Sequence, residues 1–390
     1  MRILIAVVAC AISACATAPG PNGVASASRT ASPSPSAAAG LTTTVHCDNW
    51  PGPGHPMAVV SGHGDGESVP LGMVDVTDPT KPALACVLNP ALGGRFLSPT
   101  VVAFWVGDML GTVDLSTGKV VKTAQLPAPA STGAAFSADG SEFAYRSWDS
   151  AGGMTMHLFR RGSDKILYSQ EPMGGHGGPG LDAGPFDRVR FSADGSELLD
   201  YLLFRPIPGP ANVMVFRSDG STLFQSSGLE GPAVWAGSTL YFGVYKSPSY
   251  EIDSLDSTGN TKTVISGLRL FGWPELAPGG SKIVYNTPGP GSDCGGPPHI
   301  WSLDLSTAQA SQISRADTSI PVFVTTNVYW SIEEKLGQCG PGGATYPDGV
   351  VLAHDLTTGN DSPIDTSFYQ PIGGVNTGGF STTAVIDVRL

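Results

Sequence analysis

One ten-residue phrase occurs three times and constrains this chain more than any other feature. It reads Phe136-Ser-Ala-Asp-Gly-Ser-Glu-Phe-Ala-Tyr145, then Phe191-Ser-Ala-Asp-Gly-Ser-Glu-Leu-Leu-Asp200, then Leu276-Ala-Pro-Gly-Gly-Ser-Lys-Ile-Val-Tyr285. Each copy ends one apolar strand, turns on a glycine that accepts positive φ, and starts another. Shorter copies with the same apolar-turn-apolar pattern run from Phe96 to Phe104, Val234 to Phe242 and Val322 to Trp330. A second hairpin with a Ser/Thr-x-Gly type of turn follows each copy. The clearest are Gly111 to Val121, Val213 to Phe224 and Val350 to Gly359, with others near residues 71–88, 154–169, 250–265 and 299–313. No stretch keeps a helical period over helical length.

Two hairpins per repeat make four antiparallel strands, which is one blade of an all-β propeller. Residues 45–390 shared among seven repeats give about 49 residues each, within the usual range. Six blades, the alternative, would need about 58. Gly378 to Leu390 is left over as strand material. It is expected to close the ring by pairing with the first blade, near residues 57–88, whose own innermost strand is not apparent. Gly 51 and Pro 33 make a turn-rich chain, and charged residues are only 14%. The formal net charge of −12 leaves no basic footprint, which argues against nucleic acid as a partner.

On these residues the chain resembles TolB-like propellers, whose WD40-like (PD40) repeat has the form Ser-Pro-Asp-Gly-Lys-x-Ile-Ala-Phe/Tyr. Leu71-Gly-Met-Val-Asp-Val-Thr-Asp-Pro-Thr-Lys-Pro82 resembles a second bacterial propeller repeat. The resemblance implies the seven-bladed fold. It does not carry a Tol–Pal role, because no N-terminal α/β domain precedes the repeats, and fold alone does not imply function.

The N-terminus reads as an export signal. Arg2 precedes an apolar run, Ile3 to Ile12, that is too short to span a bilayer. Ile12-Ser13-Ala14-Cys15 resembles a bacterial lipobox, in which small residues admit the peptidase and the Cys15 thiol receives the lipid. Val7-Val8-Ala9-Cys10 is a poorer second match, and an ordinary signal cleaved near Ala16 or Ala18 is the alternative. Thr17 to Gly40 carries one charge, Arg29, and no large apolar residue, so it reads as a tether. The expected organisation is a signal over 1–14, a lipidated Cys15 and linker over 15–44, and the propeller over 45–390. The protein is then extracytoplasmic and held to the cell membrane by lipid, with a monomer as the default state.

Four further cysteines suit two disulfides, with three possible pairings. Cys47–Cys86 and Cys294–Cys339 are preferred. Cys47 enters the blade that holds Cys86, and Cys294 and Cys339 fall in equivalent loops of neighbouring blades. Buried free thiols are the alternative, and no spacing suits a metal. The loops Ser61 to Pro70, Arg205 to Ala211, Thr287 to Pro298 and Lys335 to Asp348, with the link Glu171 to Pro185, are long and expected on one face. His63, Asp65, Glu67, His176 and Asp182 make that face a candidate binding surface, although incidental polar loop residues read the same way. Trp50, Trp148 and Tyr346 either touch a ligand or pin loops down.

There is no Gly-x-Ser-x-Gly elbow, His-Glu-x-x-His, P-loop or dinucleotide fingerprint. Gly174 to Gly178 lies between hairpins with no helix after it. No catalytic residue, metal or cofactor is therefore assigned. The function expected is a protein- or glycan-binding or assembly module of the cell envelope. The alternative is an exported lyase or glycan-active enzyme working at the channel mouth.

Overall fold

A computed structural model describes residues 43–62, 69–131, 133–150, 152–170, 188–201, 213–226, 230–288, 298–314, 318–333, 350–373 and 382–390. Residues 42–390 form one compact unit. Cys15, His63, Asp65, Glu67, His176, Asp182, Cys294, Cys339 and Tyr346 lie outside the described residues.

The strands run in chain order around a ring. Blade 1 holds β1 (Thr44–His46), β2 (Met57–Ser61), β3 (Leu71–Asp75) and β4 (Ala83–Asn89). Blade 2 holds β5 (Gly93–Phe96), β6 (Val101–Val106), β7 (Met109–Asp114) and β8 (Lys119–Gln125). Blade 3 holds β9 (Ala135–Phe136), β10 (Glu142–Trp148), β11 (Met154–Arg160) and β12 (Ser163–Gln170). Blade 4 holds β13 (Arg188–Phe191), β14 (Glu197–Tyr201), β15 (Val213–Arg217) and β16 (Thr222–Gln225). Blade 5 holds β17 (Glu230–Ala236), β18 (Thr239–Lys246), β19 (Ser249–Leu255) and β20 (Thr261–Leu268). Blade 6 holds β21 (Gly272–Leu276), β22 (Lys282–Pro288), β23 (Pro298–Asp304) and β24 (Gln309–Gln312). Blade 7 holds β25 (Thr318–Phe323), β26 (Val328–Glu333), β27 (Val351–Asp355) and β28 (Asn360–Pro363). The last strand, β29 (Val385–Arg389), returns to blade 1.

The molecule is a seven-bladed β-propeller, as the repeat count implied. Blades 2 to 7 are four-stranded antiparallel meanders. Blade 1 has the order β29-β2-β3-β4-β1, so the C-terminal strand supplies its innermost position. Met57 pairs with Arg389 and Val60 with Val385. The fifth strand, β1, was not foreseen. It lies outside β4, with Thr44 opposite Asn89, and the Cys47–Cys86 disulfide holds it there. A bridge across a separation of 39 residues contributes about 4 kcal/mol on the chain-entropy account.

The repeated phrase earns its recurrence by its turn. The Asp139 carboxylate accepts from the Ser141 amide and hydroxyl and from the Ser137 hydroxyl, while Gly140 sits at φ 70. Asp194 does the same with Ser196 and Ser192, around Gly195 at φ 72. The Ser141 amide and the two hydroxyls hold the Asp139 carboxyl down at about 2. Blade 6 has Gly279 in place of the aspartate and keeps the turn glycine as Gly280, both at positive φ.

Alternation along each strand sends side chains to the two neighbouring blades. The result is seven apolar clusters, one at each junction. Leu71 and Phe104 mark blades 1 and 2, Trp105 and Phe143 blades 2 and 3, and Met156 and Phe216 blades 3 and 4. Val215 and Trp235 mark blades 4 and 5, Ile252 and Tyr285 blades 5 and 6, and Ile300 and Tyr329 blades 6 and 7. Val60 and Trp330 close the circle between blades 7 and 1, where the Trp330 indole donates to Pro79 O at 2.9 Å.

One junction also carries an ion pair. Arg146 of blade 3 and Asp200 of blade 4 are both fully buried. Arg146 Nε donates to Asp200 Oδ1 at 3.0 Å, its Nη2 donates to the same oxygen and to Tyr201 O, and Tyr168 donates to Asp200 Oδ2. Removing one buried partner strands the other charge at a cost of about 3–5 kcal/mol, whereas replacing both with apolar groups does not. Arg146→Met and Asp200→Leu are each expected to lower stability by about that amount. The double variant Arg146→Met/Asp200→Leu should recover most of it. Urea unfolding of the four proteins checks this; additive losses would show that the pair is not coupled.

Candidate site at the channel mouth

The innermost strands face the central channel, and three consecutive ones are interrupted at the same place. In β17 the register shifts between Glu230 and Ala233, in β21 between Gly272 and Glu275, and in β25 between Ser319 and Val322. Each inner strand has one residue more than its partner, which is a β-bulge. The inserted dipeptides are Gly231-Pro232, Trp273-Pro274 and Ile320-Pro321. Proline fits because a bulge does not call on its missing N–H. Trp273 has φ 46 and Ile320 has φ 54. A left-handed conformation is rare for bulky residues and rarer still for a β-branched one, and such strain gathers at functional sites. The bulges lie near the start of their strands, at the end of the channel that the long loops were expected to surround.

Further along the innermost strands of several blades, charges converge. Arg95, Arg190 and Glu275 each stand immediately before the first residue of a repeat copy, opposite Ala103, Leu199 and Val284. Asp387 of β29 joins them. Arg95 Nη1 donates to Phe136 O at 3.0 Å, and Asp387 Oδ2 accepts from the Phe96 amide at 2.8 Å. Arg190 Nη1 and Glu275 Oε2, from blades 4 and 6, approach to 3.8 Å in front of blade 5. Burial raises the Asp387 carboxyl, against the opposing pull of Arg95 and the Phe96 amide. The channel thus has a strained rim with a half-buried indole above a floor of two guanidiniums and two carboxylates. That arrangement suits a polar, extended ligand bound at the rim.

Sequence reasoning missed both layers. The charges carried a signal: three repeat copies are preceded by Arg or Glu. The bulges carried another, an X-Pro dipeptide shortly before the apolar start of a blade. Among the residues named from sequence, Trp50 is half-buried and packs against the core shared by blades 1 and 2, so it pins its loop. Trp148 is half-buried at the end of β10. Among the described residues no group of three His, Cys, Asp or Glu side chains is placed to hold a metal ion. No described helix is long and apolar enough to cross a membrane.

Blade 3 also holds a Ser-His-Asp alignment that no linear motif announces. Ser147 Oγ lies 2.9 Å from His157 Nε2, and His157 Nδ1 lies 2.8 Å from Asp164 Oδ2. These are the contacts of an activated nucleophile. Yet Ser147 and His157 are buried, and Tyr145 stacks on His157 with centroids 4.5 Å apart. Blade 7 repeats the unit: Tyr329 stacks on His354 at 4.8 Å, and His354 Nδ1 lies 2.6 Å from Asp361. There the matching Ser331 hydroxyl has no hydrogen-bond partner among the described residues. The recurring Tyr-His-Asp unit pins the third strand of a blade to its neighbours.

No family model and no curated protein matches the sequence. Solved structures do match in shape. Oligogalacturonate lyase from Vibrio parahaemolyticus aligns at 11% identity over 71% of this chain and 88% of its own, with a TM-score of 0.47. The propeller domain of the Trilobed protease from Pyrococcus furiosus, described as having an open velcro topology, aligns at 11% over 69% and 81%, with 0.43. A putative TolB from Agrobacterium tumefaciens aligns at 12% over 66% and 88%, with 0.38. No shared chemistry follows from likenesses at this level.

Two outcomes are expected. Ile320→Gly relieves left-handed strain of about 1–2 kcal/mol and so costs less than ~1 kcal/mol overall. Ile320→Ala, which removes the same packing but keeps a Cβ in the left-handed conformation, costs about 1–2 kcal/mol more. Equal losses in thermal unfolding would show that the bulge is unstrained. Second, a fluorophosphonate probe leaves Ser147 unmodified in the native protein. Labelling there by peptide mapping would make the alignment a working nucleophile.

Proposed function

We propose that this protein is an envelope lipoprotein, anchored through Cys15, whose propeller is a binding module for an envelope protein or glycan. The observation that carries the reading is the row of three bulged inner strands. The strain in two of them, at Trp273 and Ile320, is held by a closed ring and concentrated at one end of the channel. Strain kept in a rigid scaffold presents side chains and backbone in a fixed pose, which lowers the ordering cost of binding. The tether composition of Thr17 to Gly40 suits display of that mouth away from the membrane. Asp387, a carboxyl raised by burial near Arg95, favours a second reading, an exported lyase or glycan-active enzyme at the same mouth.

The test has two parts in intact cells. Cys15→Ala should move the protein out of the detergent phase or stop its processing; unchanged partitioning would overturn the anchor. A photo-crosslinking amino acid at Trp273 should capture an envelope component that the same group at the exposed Val121 of β8 does not. Equal capture at both positions would overturn binding at the mouth. Asp387→Asn separates the two readings. A binding module keeps its crosslink and shows no product release from isolated envelope, whereas an enzyme loses such release.

A further inference from the structure

The seam where the ring closes holds a pocket, on the opposite face from the bulged mouth. Its volume is about 320 Å³, and its walls are Pro53, His55, Pro56, Leu97, Pro99 and Arg389, with Gly54, Phe96, Ser98 and the last residue, Leu390, also lining it. This is the lower end of the size range of small-molecule sites, and apolar walls with a few polar groups are their usual make-up. Arg389 lies over the Phe96 ring, 5.0 Å from its centroid. Its guanidinium donates to Pro99 O and to His55 O. Among the described residues, those two bonds leave three of its five N–H donors without an acceptor.

The charge of Arg389 is the unusual feature. Its side chain is part-buried, and both acceptors are neutral carbonyls. Among the described residues no carboxylate lies within ion-pair distance of it. Burial lowers its pKa, and no acidic group offsets that effect. The carboxylates bonded to the pocket wall are already engaged: Asp75 lies 3.0 Å from His55 Nδ1 and accepts from the Thr77 amide at 2.9 Å, and Asp387 accepts from the Phe96 amide at 2.8 Å. A part-desolvated cation without a counter-charge is costly and favours an anion. A fork-shaped donor matches a carboxylate. A single guanidinium in a chain of net charge −12 disfavours a multiply charged ligand.

We propose that this seam pocket binds a monocarboxylate with a small apolar body, its carboxylate on Arg389 and its body against the prolines and Leu97. Because β29 supplies Arg389 and β5 supplies Phe96, such a ligand would bridge blades 1 and 2 and stabilise ring closure by mass action.

The probe is phenylacetate, titrated calorimetrically into the purified full-length protein, with phenylacetamide as its neutral isostere. Phenylacetate should bind saturably, at least ~10-fold more tightly than the amide, and raise the melting temperature. Arg389→Lys, which keeps the charge but loses the fork, should weaken binding. Because Arg389 also fastens β29, a second variant fills the pocket instead. A Cβ at Gly54 meets nothing within 4 Å, so Gly54→Trp should fold normally and abolish binding. A short peptide ending in phenylalanine, with free or amidated terminus, identifies the source. Binding of the free-ended peptide marks a chain end as the ligand, and binding of phenylacetate alone marks a free acid; either supports the carboxylate site. Equal binding of acid and amide, undiminished binding to Gly54→Trp, or no binding of any acid into the millimolar range would overturn it.

Discussion

Everything in this molecule depends on the pairing of β29 with β2. A propeller is a stack of sheets bent into a circle, and each blade buries its faces only against two neighbours. Without the last strand, blade 1 would present an open inner edge and its backbone groups would go unpaired. The pairing joins residues more than 300 positions apart, so it can form only when every blade between them is in place. Asp387 and Arg389 reinforce it sideways, through the Phe96 amide and the Pro99 and His55 carbonyls. The same few residues therefore close the ring, contribute to the channel floor and build the seam pocket.

Within the ring, sameness and departure have different jobs. The Ser-Ala-Asp-Gly-Ser turn recurs because its hydrogen bonds are local and serve any blade. The tenth position of the repeat is Tyr in blades 3 and 6 but Asp200 in blade 4. That change is tolerable because alternation aims Asp200 at blade 3, where Arg146 stands. Junctions are thus individual, and a buried ion pair at one of them gives adjacent blades a mutual fit that apolar contacts alone do not specify. The bulges are departures of another kind. They break the ladder in three neighbouring inner strands and place strain where a ring can hold it. Local rules tend to be broken at functional sites, which is why the mouth and not the Tyr-His-Asp pins carries the functional reading.

Much of the architecture was legible because its causes are local. Turn chemistry, alternation and repeat length are written in consecutive residues, and they led to seven blades, to the closing role of the last segment and to Cys47–Cys86. The fifth strand of blade 1 was not legible, since Thr44–His46 is too short and too exposed to show a pattern before β4 is there to pair with it. The candidate site was legible only in part. X-Pro dipeptides and a charge before three of the repeat copies were visible, but each is ordinary when read singly.

The amino-acid sequence by itself determined the blade as a unit, the number of blades and the order in which they follow. Hydrogen bonds spanning a few residues and a two-residue alternation suffice for that. Only the tertiary structure decided which charges meet. Arg190 and Glu275 are separated by a whole blade in sequence and in space until the ring curves them toward one channel. Arg389 meets His55 and Pro99 only because the chain's last strand lands on its first blade. Circular closure converts positions that are equivalent in the repeat into neighbours around an axis, and no linear pattern encodes that proximity.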